Sequence, residues 1–161
     1  MRKNTLSYVL TYAISIAVPL LVGLTSAYVT MGNMDLYPEL TAPPLAPPAW
    51  LFPIVWTVLY ILMGVSCAMV LTHRSRDEVS AKKGIKLYAV SLALNFGWSI
   101  IFFNNSAYFA ALIWLLLLLY TVVRYALFYR KVSPIAAILQ LPYILWLIFA
   151  AYLNAGIWLL N

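Results

Sequence analysis

Apolar residues run along this chain in long uninterrupted blocks, and the positions that break them set its organisation. The first block extends from Leu6 to Thr30 and the second from about residue 50 to 72, just before His73 and Arg74. A third interval, Leu87 to Val123, carries no charged residue. As one helix it would measure roughly 55 Å, nearly twice the ~30 Å hydrocarbon thickness of a bilayer. Two helices are therefore expected, divided at Asn104-Asn105-Ser106, because these side chains favour turns and three in a row are costly in lipid. A last block begins at Pro134. The pattern predicts five helices, at about 6–30, 50–72, 85–103, 107–129 and 134–158, in one all-α unit spanning residues 1–161. No alternation of the kind that marks strands competes with it.

One segment does not fit a helix. Between residues 38 and 53 lie two Pro-Pro pairs and Pro53, with Trp50 and Trp56 close behind and no charge after Glu39. Proline fixes φ and removes a donor, so this is expected to be a stiff extended arm. A solvated linker would carry Ser, Gly or charge, so the arm needs an apolar partner.

Composition places the blocks in a membrane. Hydrophobic residues make up 65% of the chain and charged residues 9%, against roughly 45–50% and 25% in a soluble domain. The net charge of +6 comes from ten Lys and Arg against four acids, and its placement is topological. With five spans, Arg2 and Lys3, the five basic residues from Arg74 to Lys86, and Arg124, Arg130 and Lys131 all fall on one side. The positive-inside rule then puts the N-terminus in the cytoplasm and the C-terminus outside; the expected location is a bacterial cell membrane, as an integral protein. Basic residues that flank spans give no reason to expect nucleic-acid binding.

Soluble-enzyme chemistry has no foothold in this sequence. There is no metal-binding helix motif, phosphate loop or nucleophile elbow, and the four acids lie between spans. The lone Cys67 excludes an intrachain disulfide and no metal site is expected. What the spans do carry is aromatics and amides at helical spacing. Trp56, Tyr60, Met63 and Cys67 form one stripe of the second helix; Asn95, Trp98 and Phe102 form one on the third; Trp146, Ala150 and Asn154, with Phe149 beside them, form one on the fifth. Asn95 and Asn154 are expensive against lipid and should face the bundle interior, beside hydrogen-bond partners or a cavity. On the third helix, Ala89, Ala93 and Gly97 lie nearly opposite the Asn95 face. Such a small-residue ridge admits a close helix, either within the bundle or from a second copy in a homodimer.

Four blocks carry a family resemblance: APPLAPPAWLFPIVWTVLYILMG (42–64), LALNFGWSIIFF (92–103), VSP (132–134) and LPYILWLIFAAYLN (141–154). With them the sequence resembles the translocator protein family, also called the tryptophan-rich sensory proteins or peripheral-type benzodiazepine receptors. The resemblance implies a five-helix bundle, commonly dimeric, whose pocket opens toward the side of the first loop. Its ligands would be protoporphyrin IX or another tetrapyrrole, and synthetic isoquinolines or benzodiazepines, with no cofactor required. Some bacterial members are reported to degrade porphyrin in light and oxygen.

By the matching motifs, Trp56, Tyr60, Asn95, Trp98 and Phe102 would line the pocket, together with Trp146, Phe149, Ala150 and Asn154. The arm, through Pro47 and Pro48, would form its lid. Trp56 and Trp146 would be the indoles nearest any photochemistry. Leu36-Tyr37 and Leu45 replace Trp-containing patterns frequent in relatives, so the arm is less aromatic. Trp114 stands where many relatives have an acid, and nothing basic follows Tyr152 to complete the sterol motif of animal members. A porphyrin receptor is the leading expectation. A transporter of porphyrins or other hydrophobic molecules, and a structural subunit that binds no small molecule, are the alternatives.

Overall fold

The computed structural model describes residues 5–33 and 39–161. Arg2 and Lys3, Asp35 to Tyr37, and Pro38 at the start of the arm lie outside them. The described residues form α1 (Thr5–Thr30), α2 (Leu51–Thr72), α3 (Glu78–Ser99), α4 (Tyr108–Val132), α5 (Pro134–Ile138) and α6 (Leu141–Leu160). Taking α5 and α6 together as one span, five helical segments are long and apolar enough to cross a bilayer.

The helix boundaries follow local chemistry. Asp77 caps α3, its carboxylate accepting from the Ser80 N–H at 2.9 Å, so this helix starts about two turns before the apolar block. Lys82, Lys83 and Lys86 thus ride on its first turns, and Lys82 reaches back one turn to Glu78. At its other end α3 widens into a π turn, Ile100–Asn104. The break expected at Asn104–Ser106 then follows, with Ser106 in the left-handed region at φ 49°. Asn104 accepts from the Asn33 amide and donates to the Val29 carbonyl, tying this corner to the end of α1. The last span is not the single helix expected over 134–158. Pro142 lacks the N–H that would bond back to Ile138, and the chain turns at Leu139–Gln140 before resuming as α6. The turn is held by the buried Gln140, whose Oε1 accepts from the Tyr125 hydroxyl at 2.6 Å.

α1 packs on α2, and α4 packs on both α3 and α6. At the α1–α2 crossing a side chain on Gly64 would strike the α1 backbone, 2.5 Å from Ile16 Cα and the Ser15 carbonyl. The basic residues from Arg74 to Lys86 and from Arg124 to Lys131 collect at the connections α2–α3 and α4–α5. In the half of the bundle nearest them the core is filled by Met63, Cys67, Leu118, Val122, Tyr125 and Tyr129, with a second cavity of about 280 Å³ between the ends of α1 and α2, lined by Ser7, Tyr8, Thr11, Leu71, Thr72 and Arg74. α2 touches α3 and α6 only sparsely, and the other half of the bundle is hollow.

Candidate functional site

A cavity of about 390 Å³ occupies that hollow half, walled by α1, α2, the end of α3 and α6. From α2 it takes Phe52, Pro53, Trp56, Thr57 and Tyr60; from α3 and its π turn, Asn95, Trp98, Ser99, Phe102 and Phe103. α6 contributes Trp146, Ala150, Leu153, Asn154 and Ile157. No charged side chain lines it among the described residues.

Aromatic contacts brace the wall. Trp56 lies 5.5 Å from Tyr60 and 6.1 Å from Tyr143 between ring centroids, Trp146 meets Phe52 edge-on at 5.9 Å, and Trp98 stacks on Phe102 at 5.1 Å. Two amides tie the helices together behind these rings. Asn95 is buried; its Oδ1 accepts from the Tyr60 hydroxyl at 3.4 Å, and its Nδ2 donates to the Tyr143 hydroxyl at 2.8 Å. Asn154 accepts from the Trp98 indole at 3.1 Å and donates to the Tyr108 carbonyl at 2.8 Å. Each asparagine thus joins helices whose backbones cannot satisfy it, which answers its cost in lipid. The indole N–H groups of Trp56 and Trp146 have no acceptor among the described residues.

Eight of the expected site residues share this cavity: Trp56, Tyr60, Asn95 and Trp98, with Phe102, Trp146, Ala150 and Asn154. Three do not. Phe149 stands behind Trp146, 5.6 Å away, and Pro47 and Pro48 are not in the wall. The arm is strapped along the outer end of α6. Pro43, its buried residue, fills the space over Gly156, where a Cβ would come within 2.5 Å of the ring. The Tyr152 hydroxyl donates to the Pro44 carbonyl at 2.8 Å. The Asn161 side chain both donates to the Thr41 carbonyl and accepts from the Thr41 N–H, each at 3.0 Å. Among the described arm residues that precede α2, Ala49 reaches the cavity.

α1 supplies the wall that the motif reasoning missed: Leu20, Gly23, Leu24, Ser26, Ala27 and Thr30. Gly23 is required there, because the Tyr60 ring occupies the space its side chain would fill. The signal was a stripe of small and polar residues at helical spacing, Pro19, Gly23, Ser26 and Thr30, with no aromatic to draw attention. The ridge on α3 divides. Ala89 and Ala93 are exposed on the outside of the bundle, whereas Gly97 lies against Trp114 of α4, whose indole donates to the Leu94 carbonyl at 2.7 Å. At Gly97, therefore, the close approach is made within the chain.

Comparison with known proteins agrees with this architecture. The model of the TspO/MBR family matches residues 15–159. The chain belongs to the TspO/MBR family. Among its TspO/MBR relatives, it is 40% identical to the tryptophan-rich protein TspO of Chlorobaculum tepidum, over 95% of this chain and 97% of that one. It is 36% identical to the translocator protein of Bos taurus over 87% and 83% of the two chains. With protein CrtK of Rhodobacter capsulatus it shares 34% identity over 78% of each. Membership in the TspO/MBR family and the five apolar helical segments together make it an integral membrane protein.

Proposed function

We propose that the protein is a membrane receptor that binds porphyrins, protoporphyrin IX foremost, or related flat hydrophobic ligands, in the cavity between α1, α2, α3 and α6. The observation that carries this reading is the cavity wall: uncharged, aromatic on three helices, and held by two amides that are already hydrogen-bonded. Such a site suits a planar apolar ligand and is ordered before the ligand arrives, which limits the entropy lost on binding. Synthetic isoquinoline and benzodiazepine ligands meet the same demands.

The absence of a cation in the wall restricts how a porphyrin can enter. Its carboxylates would be stranded if buried beside Trp56 or Phe102. The ring therefore goes in with its apolar edge first, leaving the carboxylates at the mouth, on the side away from the basic residues. The packed core beneath the cavity, from Met63 to Tyr125 and Tyr129, supports a receptor over a transporter, which needs access from both sides.

Light-driven loss of bound porphyrin belongs to the same reading. An excited porphyrin can accept an electron from a neighbouring indole; dioxygen then adds across a carbon–carbon double bond of the reduced ring, and the electron returns to the indole radical cation. The O–O and C–C bonds break to leave two carbonyls, so that one porphyrin and one dioxygen account for every atom and electron. Trp56 and Trp146, in the wall, are the donors in this scheme. The test is a titration of purified protein with protoporphyrin IX, following tryptophan fluorescence in darkness, then the porphyrin absorbance under fixed illumination. Saturable quenching near one porphyrin per chain is expected; non-saturable partitioning alone would overturn the receptor reading. Porphyrin flux across proteoliposomes would restore the transporter.

A further inference from the structure

The arm carries a feature that binding in the cavity does not use. Residues 43–46 form a tight turn closed by the Ala46 N–H on the Pro43 carbonyl at 3.2 Å. Its third position is Leu45, at φ 67°. A positive φ at that position is ordinarily left to Gly or Asn, because a Cβ crowds the following carbonyl. Leu45 is also 84% exposed, more than any other large hydrophobic residue among those described. A leucine held in an unfavourable backbone conformation with its side chain outward has nothing to gain from water.

The surroundings identify what it meets. The turn is bonded to α6 through Tyr152, which lies on one exposed stripe of that helix with Leu145, Ile148 and Leu159. An apolar stripe of this kind on a membrane-spanning helix faces acyl chains. Leu45 follows Pro44, whose carbonyl the Tyr152 hydroxyl holds, so it stands beside that face near Tyr152, with Leu159 farther toward the outer end. Trp50, 66% exposed at the other end of the arm, has the ring type enriched where hydrocarbon meets headgroups. Nothing between Glu39 and His73 is charged, so no group in the arm opposes entry into the membrane.

We propose that the Leu45 turn is a lipid anchor: it inserts into the boundary between acyl chains and headgroups, in the leaflet opposite the basic residues, and holds the arm against α6. Because the arm leads directly into Ala49, Phe52 and Pro53 of the cavity wall, the membrane itself then positions one rim of the site. This anchoring stands independently of which ligand the cavity takes.

The experiment labels full-length Leu45→Cys protein with an environment-sensitive fluorophore in phosphatidylcholine–phosphatidylglycerol vesicles, with Thr41→Cys as a comparison on the same arm. Cys67 is buried, so wild-type protein taken through the labelling gives the background. A nitroxide near the headgroup end of the lipid chains should quench the label at position 45 at least twice as strongly as at position 41, and aqueous iodide should do the reverse. Equal iodide access at both positions without lipid quenching would overturn the proposal. Shielding of position 45 from both quenchers would also overturn it, since polypeptide, such as a second copy, would then cover the turn. A second variant, Leu45→Asn, suits the left-handed backbone better but cannot anchor. In vesicles it should speed hydrogen exchange at the Thr41 and Ala46 amides several-fold; exchange that is unchanged or slower would count against anchoring.

Discussion

The indole of Trp98 donates its N–H to the side-chain carbonyl of Asn154 at 3.1 Å, and this bond ties α3 to α6 across the wall of the cavity. Asn154 also holds the Tyr108 carbonyl at the start of α4, so one buried amide sets three helices. Replacing it with Leu keeps the volume but leaves the Trp98 indole N–H without its acceptor and removes the tie to the start of α4. Such an orphaned group costs about 1–3 kcal/mol. Asn154→Leu should lower the thermal midpoint in detergent and weaken porphyrin binding together, whereas an unchanged midpoint would mean that the indole finds another partner.

Trp56→Phe and Trp146→Phe keep an aromatic wall but remove the indole N–H and the most readily oxidised ring. Dark affinity for protoporphyrin IX should fall by about 1 kcal/mol or less, on the scale of one aromatic contact, while the bleaching rate of saturated protein should fall much further. Wild-type bleaching in both variants would reduce these indoles to walls and remove any catalytic part for them.

Asp77 supplies a pH dependence with a definite sign. Its carboxyl lies below the usual carboxylate range because the ionised form accepts from Ser80 at the start of α3. The stabilisation is therefore present above the unfolded value of about 3.9 and is lost as pH falls through the lower folded value. At pH 7 Asp77→Ala should melt below wild type. That gap should close in acid, and Asp77→Asn, which caps without titrating, should show no such closing. A gap independent of pH would detach the effect from the carboxylate.

The homodimer expectation narrows to Ala89 and Ala93, the exposed part of the ridge. Ala93→Leu should lower the dimer fraction in light-scattering measurements while leaving porphyrin affinity nearly unchanged, because this face points away from Asn95. Full dimerisation of the variant would move the interface elsewhere.

Orientation is tested by fusions. Alkaline phosphatase joined after Asn161 should be active outside the cytoplasm, and the same enzyme inserted between residues 74 and 86 should be inactive. The reverse pattern would invert the topology drawn from the basic residues.

Most of the fold could be read from the chain because lipid imposes its penalties locally: charges gather toward the ends of spans, and a run of polar side chains breaks one. The same penalty marked Asn95 and Asn154 as inward-facing, and helical spacing brought Trp98 and Phe102 with the first, Trp146 and Ala150 with the second. Three things depended on tertiary structure. Bonds between Thr41 and Asn161, 120 residues apart in the chain, set the path of the arm along α6. The part played by α1 came from Gly23 making room for a ring on another helix, a fit with no signature in either segment alone. The position of the cavity reflects where packing fails: α2 touches α3 and α6 only sparsely, while Tyr125, Tyr129 and their neighbours fill the core beneath it. Spans follow from what each residue loses in lipid, but a cavity follows from what several helices leave unfilled together.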